Sequence, residues 1–179
     1  TASVFGEMLT FKSLLSITTK ENERKGLLAN KVEDMLNTVV RQIAFFEFEK
    51  RIHHQRKIKE LSVDEICEIW IDVQKKSLGP SIKFNDDYKY FWSYIPHFIH
   101  SPFYVYAYAF GDCLVNSLFN TYEQGLENFE NKYIDLLKSG GSKKYDELFQ
   151  PFNLDLSKKS FWKKGLSMIE KLIDELETL

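Results

Sequence analysis

Four histidines, His53, His54, His97 and His100, are the side chains here best suited to hold a metal or move a proton. None lies in an HExxH run, which would put two imidazoles on one helical face with a glutamate between them. His97 and His100 have the spacing of a ligand pair, but Pro96 and Pro102 flank them and forbid one continuous helix. His53-His54 falls in a basic run and reads as solvated imidazole at the negative end of a helix dipole. No nucleophile elbow is present, and Ser139-Gly140-Gly141-Ser142 lacks the lysine and spacing of a phosphate loop. Cys67 and Cys113 sit among apolar residues and read as small buried hydrophobes.

The segment from Ile95 to Gly111 stands apart. It places His97 and three phenols, Tyr104, Tyr106 and Tyr108, at a loop-to-helix junction. Helical spacing puts Tyr104 and Tyr108 on one face and turns Tyr106 elsewhere. Two readings follow. The rings form an aromatic core whose hydroxyls find surface partners, or imidazole and phenol form a donor array for a developing oxyanion, each donor worth about 3–4 kcal/mol.

Such an array needs elements that hold it. Val4, Phe5, Met8, Leu9, Phe11, Leu14 and Leu15 recur at helical intervals across residues 1–17. Thr18 to Lys25 reads as a turn or the start of the next helix. From Leu27 to about Ile58 there is no Pro or Gly, and apolar residues repeat at three- and four-residue steps, which predicts one long helix. Ser62-Val63-Asp64-Glu65 is a capping box opening a helix to about Lys76, ended by Leu78-Gly79-Pro80. Ser81 to Ile95 reads as an irregular aromatic connection. Phe103 to about Lys138 returns to helix, weakly interrupted at Gly111 and Gly125. Ser139 to Ser142 is a turn, a short helix follows near Lys143 to Gln150, and a last amphipathic helix spans about Lys158 to Glu177. Strand signals are absent but for the aromatic, β-branched run at 104–108. The expected class is all-α, one helical unit over 1–179.

With 179 residues, a single domain with a real core is expected. The balance of 24 basic and 26 acidic side chains argues against nucleic acid or an anionic membrane as the main partner, since both require clustered Lys and Arg. Hydrophobic content of 44% excludes a disordered chain. No apolar run approaches the ~20 residues of a membrane helix. Two cysteines make no disulfide framework and fit a reducing cytoplasm. The opening TASVFGEML reads as the middle of a helix, so the chain is expected to be a piece of something longer.

Over most of its length the chain resembles the C-terminal part of the oligoendopeptidase F family, within the thimet-type zinc metallopeptidases. TASVFGEML resembles that family's helix after its third zinc ligand, and Thr38 to Glu49 its TVxRQxxFxxFE stretch. Trp92-Ser93-Tyr94-Ile95-Pro96-His97-Phe98 and Phe103-Tyr104-Val105-Tyr106 resemble its substrate-binding loop. Ser139-Gly140-Gly141-Ser142, Glu147-Leu148 and Leu154-Asp155-Leu156 resemble its closing region.

The resemblance implies a helical C-terminal part of a zincin-type oligopeptidase catalytic domain, cutting short peptides in a channel. Zinc would be held by HExxH histidines and a later Glu, which the resemblance puts immediately before Thr1. The ligands and general base would thus lie upstream, in the missing portion of the same protein, and the chain alone would bind no zinc and hydrolyse nothing. Glu7 would orient a ligand histidine from one shell out. His97 would face substrate, with Tyr106 first and Tyr104 second as the tyrosines that hydrogen-bond the scissile carbonyl or substrate backbone. Tyr108 is assigned to packing, and Arg41 with Glu47 or Glu49 to ion pairs bracing the long helix. The rival reading is a non-catalytic helical module whose aromatic loop grips a peptide or protein.

Overall fold

The computed structural model describes residues 1–179 and contains helices and no strand. Its α-helices are α1 (Ala2–Ile17), α2 (Glu21–Thr38), α3 (Val40–Arg56), α4 (Val63–Leu78), α5 (His97–His100), α6 (Tyr106–Glu123), α7 (Phe129–Ser139), α8 (Tyr145–Phe149) and α9 (Lys159–Glu177). Short 3₁₀ runs occupy Asp86–Tyr94 and Gln150–Phe152. The all-α expectation holds. The chain divides into two compact units, Thr1–Met35 with Gly111–Leu179, and Leu36–Phe110.

The long helix expected from Leu27 to Ile58 is two helices, parted at Val39. The break falls in Thr38-Val39-Val40, three β-branched side chains whose restricted χ1 lowers helix propensity. The connection at 81–95 is more ordered than its composition indicates: Asn85 Oδ1 caps the 3₁₀ run by accepting from the Tyr88 amide at 3.1 Å. Gly111 does not interrupt α6, whereas the chain does leave the helix at Gly125, whose φ is +74°. The box at the start of α4 forms as read: the Ser62 hydroxyl accepts from the Glu65 amide and the Glu65 carboxylate from the Ser62 amide. Gly79, at φ +71°, then ends α4 in a conformation that glycine adopts without Cβ strain.

In the unit formed by Leu36–Phe110, Phe45, Phe48, Trp70 and Val105 make the heart of the core. In the other unit Phe5 packs against Phe119, Phe129 and Tyr133 at ring-centroid distances of 4.5–5.8 Å. Lys12 reaches Glu123 at 3.5 Å, and Arg24 pairs with Glu175. Here α6 meets α9 with almost no space between backbones: a Cβ on Gly165 would lie 2.6 Å from the Cys113 carbonyl oxygen. Both cysteines are buried.

Asp112 is buried on α6, where its Oδ2 accepts from Asn116 Nδ2 at 2.8 Å. The other amide atom, Asn116 Oδ1, has no partner. Burial pushes the Asp112 carboxyl up to about 6; the Asn116 bond and Lys31 pull back, while Asp34 and Glu7 push with it. A protonated Asp112 also has a donor to offer Asn116.

Two stability predictions follow from these contacts. Gly165→Ala is expected to destabilise the protein by about 1–3 kcal/mol, although alanine is the better helix former, because the methyl overpacks a backbone contact. Denaturant unfolding checks this, and an unchanged midpoint would contradict it. Asp112 has a folded pKa above its unfolded one, so its contribution is complete below pH ~4 and is lost as pH rises through about 6. Asp112→Asn, which stays neutral, should gain roughly 1–3 kcal/mol over the parent at pH 7.5 and nothing at pH 4. Paired melts at the two pH values test the sign.

Candidate active site

The segment carrying His97 and the tyrosines is built against α3. Phe45, Phe48, Glu49 and Ile52 recur at helical spacing, so α3 presents one stripe to the core. Phe98 follows His97 into that core and meets Phe45, Phe48 and Trp70 at 5.1–6.3 Å. Trp70 is in turn fixed by its indole N–H, which donates to the Tyr88 carbonyl at 3.0 Å. His97 therefore sits on a single helical turn, α5, whose next residue is plugged into the core.

Beyond Pro102 the chain must turn before α6 can begin. Phe103 takes φ +62°, the left-handed region, at a cost of about 1–2 kcal/mol for a residue with a Cβ. Its amide donates to Glu49 Oε1 at 2.9 Å, and its ring lies against His53 and Phe46 at 4.6 and 6.3 Å. Two residues on, Val105 is fully buried. Tyr104 projects between these two anchors and α6 starts at once, the Ala107 amide donating to the Tyr104 carbonyl at 2.9 Å.

The structure brings His97, Tyr104 and Tyr108 together. His97 Nε2 and the Tyr108 hydroxyl are 3.0 Å apart, with donor and acceptor set by the imidazole tautomer. The Tyr104 ring lies parallel to the imidazole, 4° between planes and 6.2 Å between centroids, while Tyr108 stands edge-on to both. Tyr106 is not in this group; its ring meets Phe46 edge-on at 5.6 Å. The three phenols are 40–52% exposed, so the all-core reading fails for them. Tyr108, assigned to packing from the sequence, is instead the hydrogen-bond partner of His97. His97 also forms one wall of a groove of about 420 Å³ whose polar lining comes from Asn37, Arg41 and Gln42.

Glu49 is the feature that sequence reasoning assigned to the wrong interaction. It forms no ion pair: the residue is 2% exposed, and its carboxylate takes the Phe103 amide on one oxygen, while Oε2 has no partner. Burial raises its pKa; the Phe103 amide, His53 and His97 pull back. The signal was present, an acid four residues after Phe45 and three before Ile52 on a core stripe. Arg41 likewise lies over the Phe45 and Phe91 rings at 5.4 and 6.0 Å, and Glu47 pairs only with Lys50.

Glu7 is exposed on α1, its carboxylate accepting from the Ser3 hydroxyl at 3.1 Å. His54 and His100 are exposed, and His53 packs on Phe103. No group of three or more His, Cys, Asp or Glu side chains is arranged to hold a metal ion, so the residues of this chain do not fit a zinc centre by themselves. No helix is long and apolar enough to cross a membrane. What the cluster offers is an imidazole and two phenols, all groups that can donate a hydrogen bond, with the imidazole in the wall of a groove.

Comparison with known proteins bears on that chemistry. The model of peptidase family M3 matches residues 1–168. An oligoendopeptidase F homolog of Borreliella burgdorferi is 32% identical over 179 residues, which cover 99% of this chain and 30% of the relative. Oligopeptidase PepF of Bacillus subtilis is 30% identical, with 99% of this chain and 27% of the relative covered. The crystal structure of oligoendopeptidase-F from Enterococcus faecium superposes with a TM-score of 0.89 at 25% identity, over 99% of this chain and 34% of that one. The chain thus spans about 30% of the length of the curated relatives it matches.

Proposed function

This chain belongs to peptidase family M3, and on that premise we propose that it is the C-terminal part of the catalytic domain of a zinc-dependent oligoendopeptidase. In this reading the full-length protein hydrolyses internal bonds of short peptides. The zinc ligands and the water-activating base belong to the remainder of that protein, the first partner of this chain, and Glu7 supports a ligand histidine. Two buried thiols suit a cytoplasmic setting.

The observation that carries the reading is the meeting of Tyr104 and Tyr108 with His97, which itself lines a groove. Water adding to a peptide carbonyl puts negative charge on its oxygen. Donors held in place before that charge develops stabilise the transition state more than the substrate. The Tyr108 hydroxyl and the His97 imidazole already share a hydrogen bond, so between them one N–H or O–H is left for the substrate oxygen while the other group orients it. Tyr104 stands on the same helical face, and its phenol is available to the same carbonyl or to the adjoining substrate backbone. Asn37 and Gln42 in the groove wall have the amide groups that pair with an extended peptide. Tyr106, the resemblance's first choice, is set against Phe46 and is the discriminating control.

The test is a set of single substitutions in the full-length enzyme, assayed on a short peptide. His97→Ala and Tyr108→Phe are each expected to lower kcat by about 10²–10³ with little change in KM, the signature of donors used in the transition state. Tyr104→Phe should behave likewise, with Tyr106→Phe the mildest of the four. Unchanged kcat in the first two would leave only a packing role, and a dominant Tyr106→Phe loss would move the donor to that residue.

A further inference from the structure

We propose that Glu49 is a positioning residue of this site: its buried carboxylate fixes the Phe103 amide and so sets Tyr104 and Tyr108 beside His97. The inference rests on the functional reading above for its catalytic consequence, but the anchoring itself stands on geometry alone.

Within the segment between Ser101 and Tyr106, one backbone turn is closed, the Tyr104 amide donating to the Ser101 carbonyl at 3.2 Å. Pro102 contributes no amide, and Phe103 is in the left-handed region, which a phenylalanine does not choose unaided. The Phe103 amide points away from any helix ladder and finds Glu49, 54 residues earlier. A carboxylate accepting a backbone N–H makes a stronger bond than a neutral acceptor, and its burial keeps water from competing. The Phe103 ring adds a second hold on α3 through His53 and Phe46. Tyr104 is thereby fixed between the Glu49-bound amide and the buried Val105, and Tyr108, one turn on, inherits its direction from the same helix start.

The placement of Glu49 is hard to account for as stabilisation. One oxygen is unpartnered in the interior, and the groups nearest in charge are His53 and His97, neither paired with it. Its apolar neighbours on α3 would pack a leucine there. What a leucine would lack is an acceptor for the Phe103 amide.

The test uses Glu49→Ala and Glu49→Gln in the full-length enzyme. Gln keeps an acceptor and nearly the same volume; Ala removes the acceptor. Hydrogen exchange at residue 103, read by mass spectrometry, is expected to accelerate about tenfold or more in Glu49→Ala and to stay near the parent in Glu49→Gln. On a short peptide, kcat should fall about tenfold or more in Glu49→Ala at nearly constant KM, and Gln should restore most of it. Should Glu49→Ala fold poorly, Phe103 replaced by its α-hydroxy analogue exchanges the amide donor for an ester oxygen with Glu49 untouched, and the same kcat loss is expected. Equal exchange in parent and Glu49→Ala overturns the proposal, as does full activity of the ester or a Gln variant as impaired as Ala. If the exchange difference holds while His97→Ala and Tyr108→Phe leave kcat unchanged, the anchor is supported and only the catalytic reading falls.

Discussion

Trp70 has no solvent exposure, and rings from three separate segments close over it: Phe45 and Phe48 from α3, Tyr88 from the 3₁₀ run, and Phe98 from α5. Full burial of one such side chain contributes about 3 kcal/mol, and the four surrounding rings lose water in the same step. The indole N–H cannot be buried without an acceptor, so the Tyr88 carbonyl must come to it. That one requirement ties the aromatic connection, which has little regular structure of its own, to α4. Because Phe98 belongs to the same cluster, the constraint reaches the residue next to His97. The candidate chemistry therefore sits on a turn whose backbone is fixed by apolar packing, while His97 itself stays at the surface.

Packing fixes where the turn lies; polar contacts fix how the chain leaves it. Two prolines break the helical ladder at either side of α5, so backbone groups there need partners from elsewhere. Glu49 supplies one. A hydrogen bond from an amide to a carboxylate is worth roughly 1.5–3 kcal/mol, comparable with the left-handed cost at Phe103 plus part of the penalty of burying the charge. With Oε2 unpartnered, little net stability remains. The gain is in shape: the bond holds Phe103 in the left-handed conformation from which α6 begins.

This balance explains which parts of the molecule could be read from its sequence. Helices and their ends are local matters, and the Ser62–Glu65 box, the stop at Gly79 and the final helix are all legible from residues a few positions apart. The break at Val39 was hidden because three β-branched residues weaken a helix without carrying a breaker's signature. The order of residues 86–94 was hidden because it depends on a tryptophan from α4. Glu49 was hidden for the same reason at greater range, since an acid on an apolar stripe announces a partner without naming it. The family resemblance favoured Tyr106 as the donor, while plain helical spacing already paired Tyr104 with Tyr108. The structure follows the spacing.

The exposure of the phenols carries one more consequence. A neutral donor facing water gains little from a new acceptor, because it exchanges one hydrogen bond for another of similar strength, about 1 kcal/mol net. The same donor held still in a site from which water is excluded is worth about 3–4 kcal/mol to a developing oxyanion. Tyr104 and Tyr108 are held still here, through Glu49, Val105 and the first turn of α6, but they are 52% and 40% open to solvent. Under the proposed function, the chain provides the orientation half of the effect. The exclusion of water is then left to the bound peptide and to parts of the proposed enzyme outside these 179 residues.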